Sequence, residues 1–232
     1  MRLISWEKLP EELRCPEVRP YYDALAKKRA ALAAKRCFDL TAGGLMTVLL
    51  SLPMGAIALA VKLDSEGSVF FRQERVTQYG KRFRIHKFRT MVANADRIGS
   101  AVTISGDSRV TGVGKFLRRF RLDELPQLFD VLQGNMSFVG TRPEVPRYVE
   151  RYTPEMLATL LLPAGITSEA SIRYKDEAAL LDRAEDVDKV YTEQVLPAKM
   201  RWNLESLLHF GPGQELLTML RTVLAVLGQD YA

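Results

Sequence analysis

Asp123 and Glu124 stand side by side in Leu122-Asp123-Glu124-Leu125-Pro126-Gln127-Leu128, with Arg118, Arg119 and Arg121 upstream and Arg142-Pro143 downstream. Guanidinium forks match phosphate oxygens, and hard carboxylate oxygens suit Mg²⁺, so the chemistry suggested is acid, phosphate and metal meeting at one site. The same residues also make a good helix start: Asp123 as cap, Glu124 in the first turn and Pro126 tolerated there. Neighbours on a helix point in different directions, so the two carboxylates are not read as a pair sharing one proton.

The elements that must position them come from the rest of the 232 residues. Hydrophobic content of 47% and a net charge of +5 indicate a folded chain with an anionic partner: phospholipid, nucleotide or nucleic acid. Cys15, Cys37, His86 and His209 offer neither a disulfide framework nor a Cys/His metal spacing. Leu40 to Val61 carries no charge and would extend about 33 Å as a helix. Pro53, close to Ser51, predicts a bend there, with the serine hydroxyl helping to satisfy freed backbone. Both flanks are basic (Lys35 and Arg36 before, Lys62, Arg72 and Arg75 after), so neither end wins a positive-inside count. A bent, re-entrant segment that enters and leaves by one face satisfies both features; a single span and a buried soluble helix are the alternatives. Tyr21 to Phe38 reads as a helix lying along the headgroups.

Beyond the apolar segment, Val69–Arg75 and Arg82–Phe88 alternate as two strands joined by Thr77-Gln78-Tyr79-Gly80, which has turn chemistry. Residues 92 to 114 read as a loop. Helices are expected at 115–121, 124–133, 144–160, 176–183 and 187–208, and an amphipathic stripe (Leu216, Leu217, Leu220, Val223, Leu224) closes the chain. The fold class is therefore mostly α with a small β-hairpin, an α+β chain with a re-entrant membrane helix and amphipathic interfacial helices. The expected divisions are a lead-in and interfacial helix over 1–34, the membrane helix over 35–62, a catalytic domain over 63–210 and a C-terminal helix over 211–232. No Walker or Rossmann glycine pattern is present. The basic, Phe-rich strands would suit RNA, but no RNA-binding motif accompanies them, so no nucleic-acid partner is expected. A non-catalytic module that binds anionic lipid or serves as a scaffold is the other alternative to an enzyme.

In combination, Lys35-Arg36-Cys37-Phe38-Asp39, the Ser51/Pro53 segment, Phe70-Phe71-Arg72-Gln73-Glu74-Arg75, Lys87-Phe88-Arg89-Thr90-Met91, the Asp123-Glu124 block, Gly140-Thr141-Arg142-Pro143 and Ala164-Gly165-Ile166-Thr167 resemble the monotopic phosphoglycosyl transferases, the bacterial sugar transferase family. The resemblance implies transfer of sugar-1-phosphate from a UDP-sugar to polyprenol phosphate, usually undecaprenyl phosphate, with release of UMP, at the cytoplasmic face of the bacterial inner membrane. Such a step starts O-antigen, capsule or exopolysaccharide synthesis. It implies Asp123 as nucleophile and Glu124 as its helper in holding Mg²⁺ or handling protons, so that both carboxylates are candidate metal ligands. Arg118 and Arg142 are the expected phosphate contacts, with Lys87 and Arg89 next. Ser51 and Pro53 mark the membrane helix break, phospholipid is the surrounding partner, and a homo-oligomer is left open. Three departures stand out: Leu52 separates Ser51 from Pro53, Thr141 replaces a common proline, and Ser168–Tyr174 differs from the Gly-Trp-Ala-Gln run of many members.

Overall fold

A computed structural model describes residues 1, 3–95, 107–174 and 186–226. After two short 3₁₀ turns, α1 (Arg19–Ala26) leads into α2 (Arg29–Leu49) and α3 (Ser51–Asp64). Four short strands follow: β1 (Phe70–Phe71), β2 (Glu74–Val76), β3 (Arg82–Arg84) and β4 (Lys87–Phe88). Next come α4 (Gly112–Arg119), a 3₁₀ turn at Leu122–Glu124, α5 (Gln127–Gln133), β5 (Met136–Val139) and α6 (Pro146–Val149). A 3₁₀ segment, Met156–Leu161, then precedes β6 (Ala164–Thr167) and α7 (Glu169–Arg173). Finally α8 (Val187–Val190) runs through a π turn, Tyr191–Val195, into α9 (Leu196–Leu208), and α10 spans Pro212–Val226. The chain is thus mostly helical with small sheets, as its patterning implies.

Among the described residues no single helix is long and apolar enough to cross a membrane, but α2 and α3 together form a bent apolar pair with a 60° break. The bend falls at Leu50 (φ −92°, ψ 3°), not at Pro53 itself. The physical reason is local. A proline clashes with the carbonyl four residues earlier and offers it no N–H, so Pro53 distorts the chain around Leu49 and Leu50 while sitting in the first turn of α3, where it is tolerated. The Ser51 hydroxyl donates to the Val48 carbonyl at 2.7 Å, closing the last turn of α2. Around the bend Val48, Leu49 and Leu52 stand exposed, Leu52 by 84%.

The expected helix over Tyr21–Phe38 is interrupted at Lys27-Lys28, and its apolar face is not free for headgroups. Tyr21, Tyr22, Leu25 and Leu32 are buried with Leu3, Leu9, Leu13 and Val18 against Leu160–Leu162, Leu204, Leu207 and Phe210. Leu25 and Leu161 are completely buried, each worth about 1.5–3 kcal/mol. The lead-in is therefore part of the core.

The predicted hairpin forms in two ladders: Phe70 opposite Phe88 and Phe71 opposite Lys87, then Glu74 opposite Arg84 and Val76 opposite Arg82. Tyr79 (φ 58°) and Gly80 (φ 76°) make its turn. A second, parallel pair joins β5 to β6, with Met136 opposite Ala164 and Val139 opposite Thr167, where the patterning assigns no strands. Gly140 and Gly165 cross there so closely that a Cβ on Gly165 would lie 2.1 Å from the Gly140 nitrogen. Only glycine permits that approach, which explains both glycine-containing blocks.

Other helices shift. The one expected at 124–133 begins at Gln127 after the 3₁₀ turn, and that at 115–121 begins at Gly112, shortening the predicted loop from its C-terminal end. The single helix expected over 144–160 divides into α6 and the 3₁₀ segment, because Pro154 cannot continue a helix and biases Thr153 out of helical geometry. The helix over 187–208 is present with its π turn, whereas 176–183 lies outside the described residues.

Candidate active site

Three local devices bring the charged residues together. In the first, β4 carries Lys87 against the Leu122–Glu124 turn. Three residues on, the Thr90 carbonyl accepts from Thr111 N at 3.0 Å. Thr111 caps α4 by accepting from Gly114 N at 3.0 Å, and a Cβ on Gly114 would lie 2.1 Å from the Thr90 oxygen. Glycine there lets α4, with Arg118, seat directly on the segment that follows the strand holding Lys87. In the second device, Arg121 adopts left-handed backbone (φ 53°, ψ 24°) between α4 and the 3₁₀ turn, and so presents Asp123 and Glu124 at the end of α4. In the third, the Arg142 loop is pinned on both sides. Gly140 N donates to the Thr167 carbonyl at 2.9 Å, Arg75 Nη1 donates to the Pro143 carbonyl at 3.0 Å, and Val76 N donates to the Glu144 carbonyl at 2.9 Å.

The outcome is a strongly unequal pair of carboxylates. Glu124 is buried, accepts from Lys87 Nζ at 2.9 Å, and takes both Arg142 Nη atoms, Nη1 at 3.2 Å. Burial opposes its charge, but the attraction of Arg142 and Lys87 outweighs burial and holds its pKa well below the usual carboxylate range. Asp123 has no hydrogen-bond partner among the described residues. Burial and the neighbouring Glu124 charge push its pKa up, against Lys87, Arg118 and Arg142. Lys87 is pulled down by its own burial, partly offset by Glu124.

Asp123 and Glu124 lie on a cavity of about 740 Å³ whose walls include Arg75, Lys87, Arg118, Arg119 and Arg142. The Arg118, Arg119 and Arg121 side chains form no hydrogen bond or ion pair among the described residues; Arg119 lies over the Phe120 ring at 5.5 Å. The arrangement is an excess of positive charge around one open carboxylate, suited to binding a diphosphate and bringing a nucleophile to it. Of the expected site residues, the structure brings together Asp123, Glu124, Lys87, Arg118 and Arg142. Arg89 borders the same cavity, but its guanidinium is turned to the C-terminus of α3, donating to the Ser65 carbonyl at 2.6 Å and the Val61 carbonyl at 3.1 Å. Ser51 and Pro53 belong to the helix bend and stand apart from this site.

Among the described residues no three His, Cys, Asp or Glu side chains gather as a metal cage. Asp123, with free carboxylate oxygens, fits a cation shared with phosphate oxygens; Glu124, already bound by two cations, does not. The expectation of two carboxylate ligands narrows to one.

Two residues escape sequence reading. Arg75 looks like a strand cation in a basic flank, yet it is held behind Arg142 by Pro143 and by Gln73 Oε1 at 2.5 Å, and burial lowers its pKa. Glu144 follows the Arg-Pro block and accepts from the Tyr191 hydroxyl at 2.6 Å with Lys199 Nζ 3.9 Å away, tying the loop to the π turn and α9. The only sequence signal for Arg75 is its place at the end of Phe70–Arg75, and for Glu144 its place directly after Arg142-Pro143.

Residues 30–227 match the bacterial sugar transferase family. An Aeromonas hydrophila protein named UDP-N-acetylgalactosamine-undecaprenyl-phosphate N-acetylgalactosaminephosphotransferase is 44% identical over 122 residues, 53% of this chain and 29% of its own length. The UDP-glucose:undecaprenyl-phosphate glucose-1-phosphate transferase of Escherichia coli (strain K12) is 40% identical over 180 residues, 75% of this chain and 38% of its own. A Bacillus subtilis (strain 168) protein, named provisionally as an undecaprenyl-phosphate N-acetylgalactosaminyl 1-phosphate transferase, is 41% identical over 156 residues, 66% of this chain and 85% of its own. The chain thus spans about a third of the two longer relatives and most of the shorter one. With its charged blocks folded onto one cavity and the family match running nearly end to end, this chain belongs to the bacterial sugar transferase family.

Proposed function

We propose that this chain transfers sugar-1-phosphate from a UDP-sugar to a polyprenol phosphate such as undecaprenyl phosphate and releases UMP. One observation carries the reading: an open carboxylate, Asp123, on a cation-lined cavity, beside a second carboxylate fully committed to Lys87 and Arg142.

In the first step an Asp123 oxygen attacks the β-phosphorus of the donor. A new P–O bond forms to the carboxylate, the bridging P–O bond breaks, and UMP leaves with that electron pair. In the second, a phosphate oxygen of the acceptor attacks the same phosphorus and the Asp123 carboxylate departs, giving a sugar diphosphate on the lipid. Charge balances in both steps without net proton transfer. That assigns Glu124 a role other than proton handling: held ionised, it fixes Lys87 and Arg142 in place while leaving net positive charge for the equatorial oxygens. Arg118, whose side chain forms no ion pair among the described residues, is the main donor-phosphate contact, whereas Arg89 acts structurally, closing the end of α3. Asp123 would hold Mg²⁺ if the ion is bound, and the ion would supply further charge neutralisation there.

The membrane setting follows the same reading. The exposed apolar bend between α2 and α3 enters the bilayer and returns to the cytoplasmic face, so both termini stay on that side. The named sugars of the relatives differ, so the donor sugar is chosen by assay: a panel of UDP-sugars with undecaprenyl phosphate, followed by UMP formation. UMP from one donor supports the reading; UDP as the nucleotide product refutes it.

A further inference from the structure

Arg121 and Glu124 line two cavities. Besides the cation-lined cavity, a second one of about 380 Å³ begins at these residues and runs between α2, α5 and α10. Its walls are almost entirely apolar, with Phe38, Ala42 and Met46 from α2, Leu128 from α5, and Met219 and Val223 from α10. Thr167, Ser171 and Thr222 add only hydroxyls, and Thr167 and Thr222 satisfy one another at 2.7 Å. The charged groups on its wall are those at the junction, and Glu124 is neutralised there by Lys87 and Arg142. Arg121 is therefore the cation with no partner at that point, exposed and held in left-handed backbone.

α10 is fixed as a wall by polar bonds on its inner side. Glu215 receives Lys35 at 2.5 Å, and Glu169 receives Thr218 at 2.8 Å and Arg221 at 3.2 Å. At the other end, Phe38 and Met46 are 45% and 38% exposed and continue into the uncovered apolar surface of the α2–α3 bend.

We infer that this cavity receives the first isoprene units of the lipid-linked acceptor, with Arg121 taking the acceptor phosphate at the junction. The inference rests on the function proposed above. A molecule with one anionic head and a long linear chain of methyl-branched apolar units matches an apolar cavity with an unpaired cation at its inner end. Its tail could slide from the α2–α3 surface into the cavity without passing through water. The nucleotide donor, by contrast, carries no apolar tail and is suited only to the larger, cation-lined cavity. One chain thus holds two substrates of opposite character with their phosphates meeting at Asp123.

The test uses the full chain in detergent micelles. Ala42→Phe and Val223→Trp narrow the cavity from opposite walls without touching the carboxylates or their cations. Each is expected to raise the KM for undecaprenyl phosphate at least tenfold, while the UMP burst formed from donor alone keeps its amplitude. Arg121→Ala is expected to raise the same KM, and Arg121→Lys to restore part of it. In the unaltered chain, KM is expected to fall from geranyl to geranylgeranyl phosphate and then level off. Unchanged acceptor KM in both folded cavity variants, or equal competition by phosphatidylglycerol, overturns the inference. If the variants fail to fold, the absence of any chain-length dependence in the unaltered protein overturns it instead. Turnover by the unaltered chain with these negative results would refute this inference alone; absence of UMP from every donor would refute the function beneath it.

Discussion

Two clusters of charge, one just before the apolar segment and one around Asp123 well beyond it, end in opposite states. In the first half of α2, Lys35 donates to the Val139 carbonyl at 2.9 Å and pairs with Glu215, and Arg36 caps the end of α5 through the Val131 and Leu132 carbonyls at 2.7 and 3.1 Å. Asp39 accepts from Ser137 Oγ at 3.0 Å and Phe138 N at 3.3 Å. Each of these side chains bonds to protein atoms, with Asp39 Oδ2 alone buried and unpartnered among the described residues of this cluster, and together they bolt α2 onto α5 and β5. Around Asp123 the reverse holds: the Glu124 side chain is engaged, while the side chains of Asp123, Arg118, Arg119 and Arg121 have no hydrogen-bonded partner among the described residues. Charges that close on protein atoms hold the fold; charges left open await a ligand.

The contrast can be broken from either side. Asp123→Asn should lower UMP formation by about 10³-fold or more, measured at saturating substrates. Because its pKa is raised in the folded chain, ionised Asp123 weighs against folding, so the amide should melt no lower than the parent. Glu124→Gln should do both kinds of damage. It leaves Lys87 and Arg142 without their counter-charge, at a cost of about 3 kcal/mol in chemical unfolding, and should lower activity about 100-fold. Arg118→Ala should raise the donor KM about tenfold with no loss of stability, since the side chain is bonded to nothing that remains behind. The pH profile of donor-only UMP release sharpens the comparison further. Activity needs ionised Asp123, so it should be full above its raised pKa and fall as pH drops through it, with the acid limb above the ordinary aspartate range. Asp39→Ala should show the smallest effect on chemistry: about 1–3 kcal/mol of stability lost by denaturation, with kcat nearly unchanged.

The residues that bear the chemistry were legible because arginines and carboxylates at short spacing have few other uses together. The hairpin was legible from its alternation and turn, and the bend from Pro53, although its centre sits at Leu50 because a proline acts on the carbonyls before it. The unequal fates of Asp123 and Glu124 were not legible. They depend on Lys87 and Arg142 arriving from two other segments, and on Gly114, Gly140 and Gly165 allowing backbones to approach within a distance that no pattern of hydrophobicity encodes. The same holds for Arg75 and Glu144, whose burial arises only when β2, the Arg142 loop and α9 meet. The division of 144–160 was within reach, since Pro154 announces it, but the amphipathic spacing of Tyr148, Val149 and Tyr152 masks the break.

The most direct test of the account is to incubate the chain with its UDP-sugar and no acceptor, then measure intact mass and map the modified residue. The account predicts one sugar phosphate per chain on Asp123, an equal amount of UMP, and discharge on adding undecaprenyl phosphate. UMP formed only when acceptor is present, with no adduct on the chain, would contradict it.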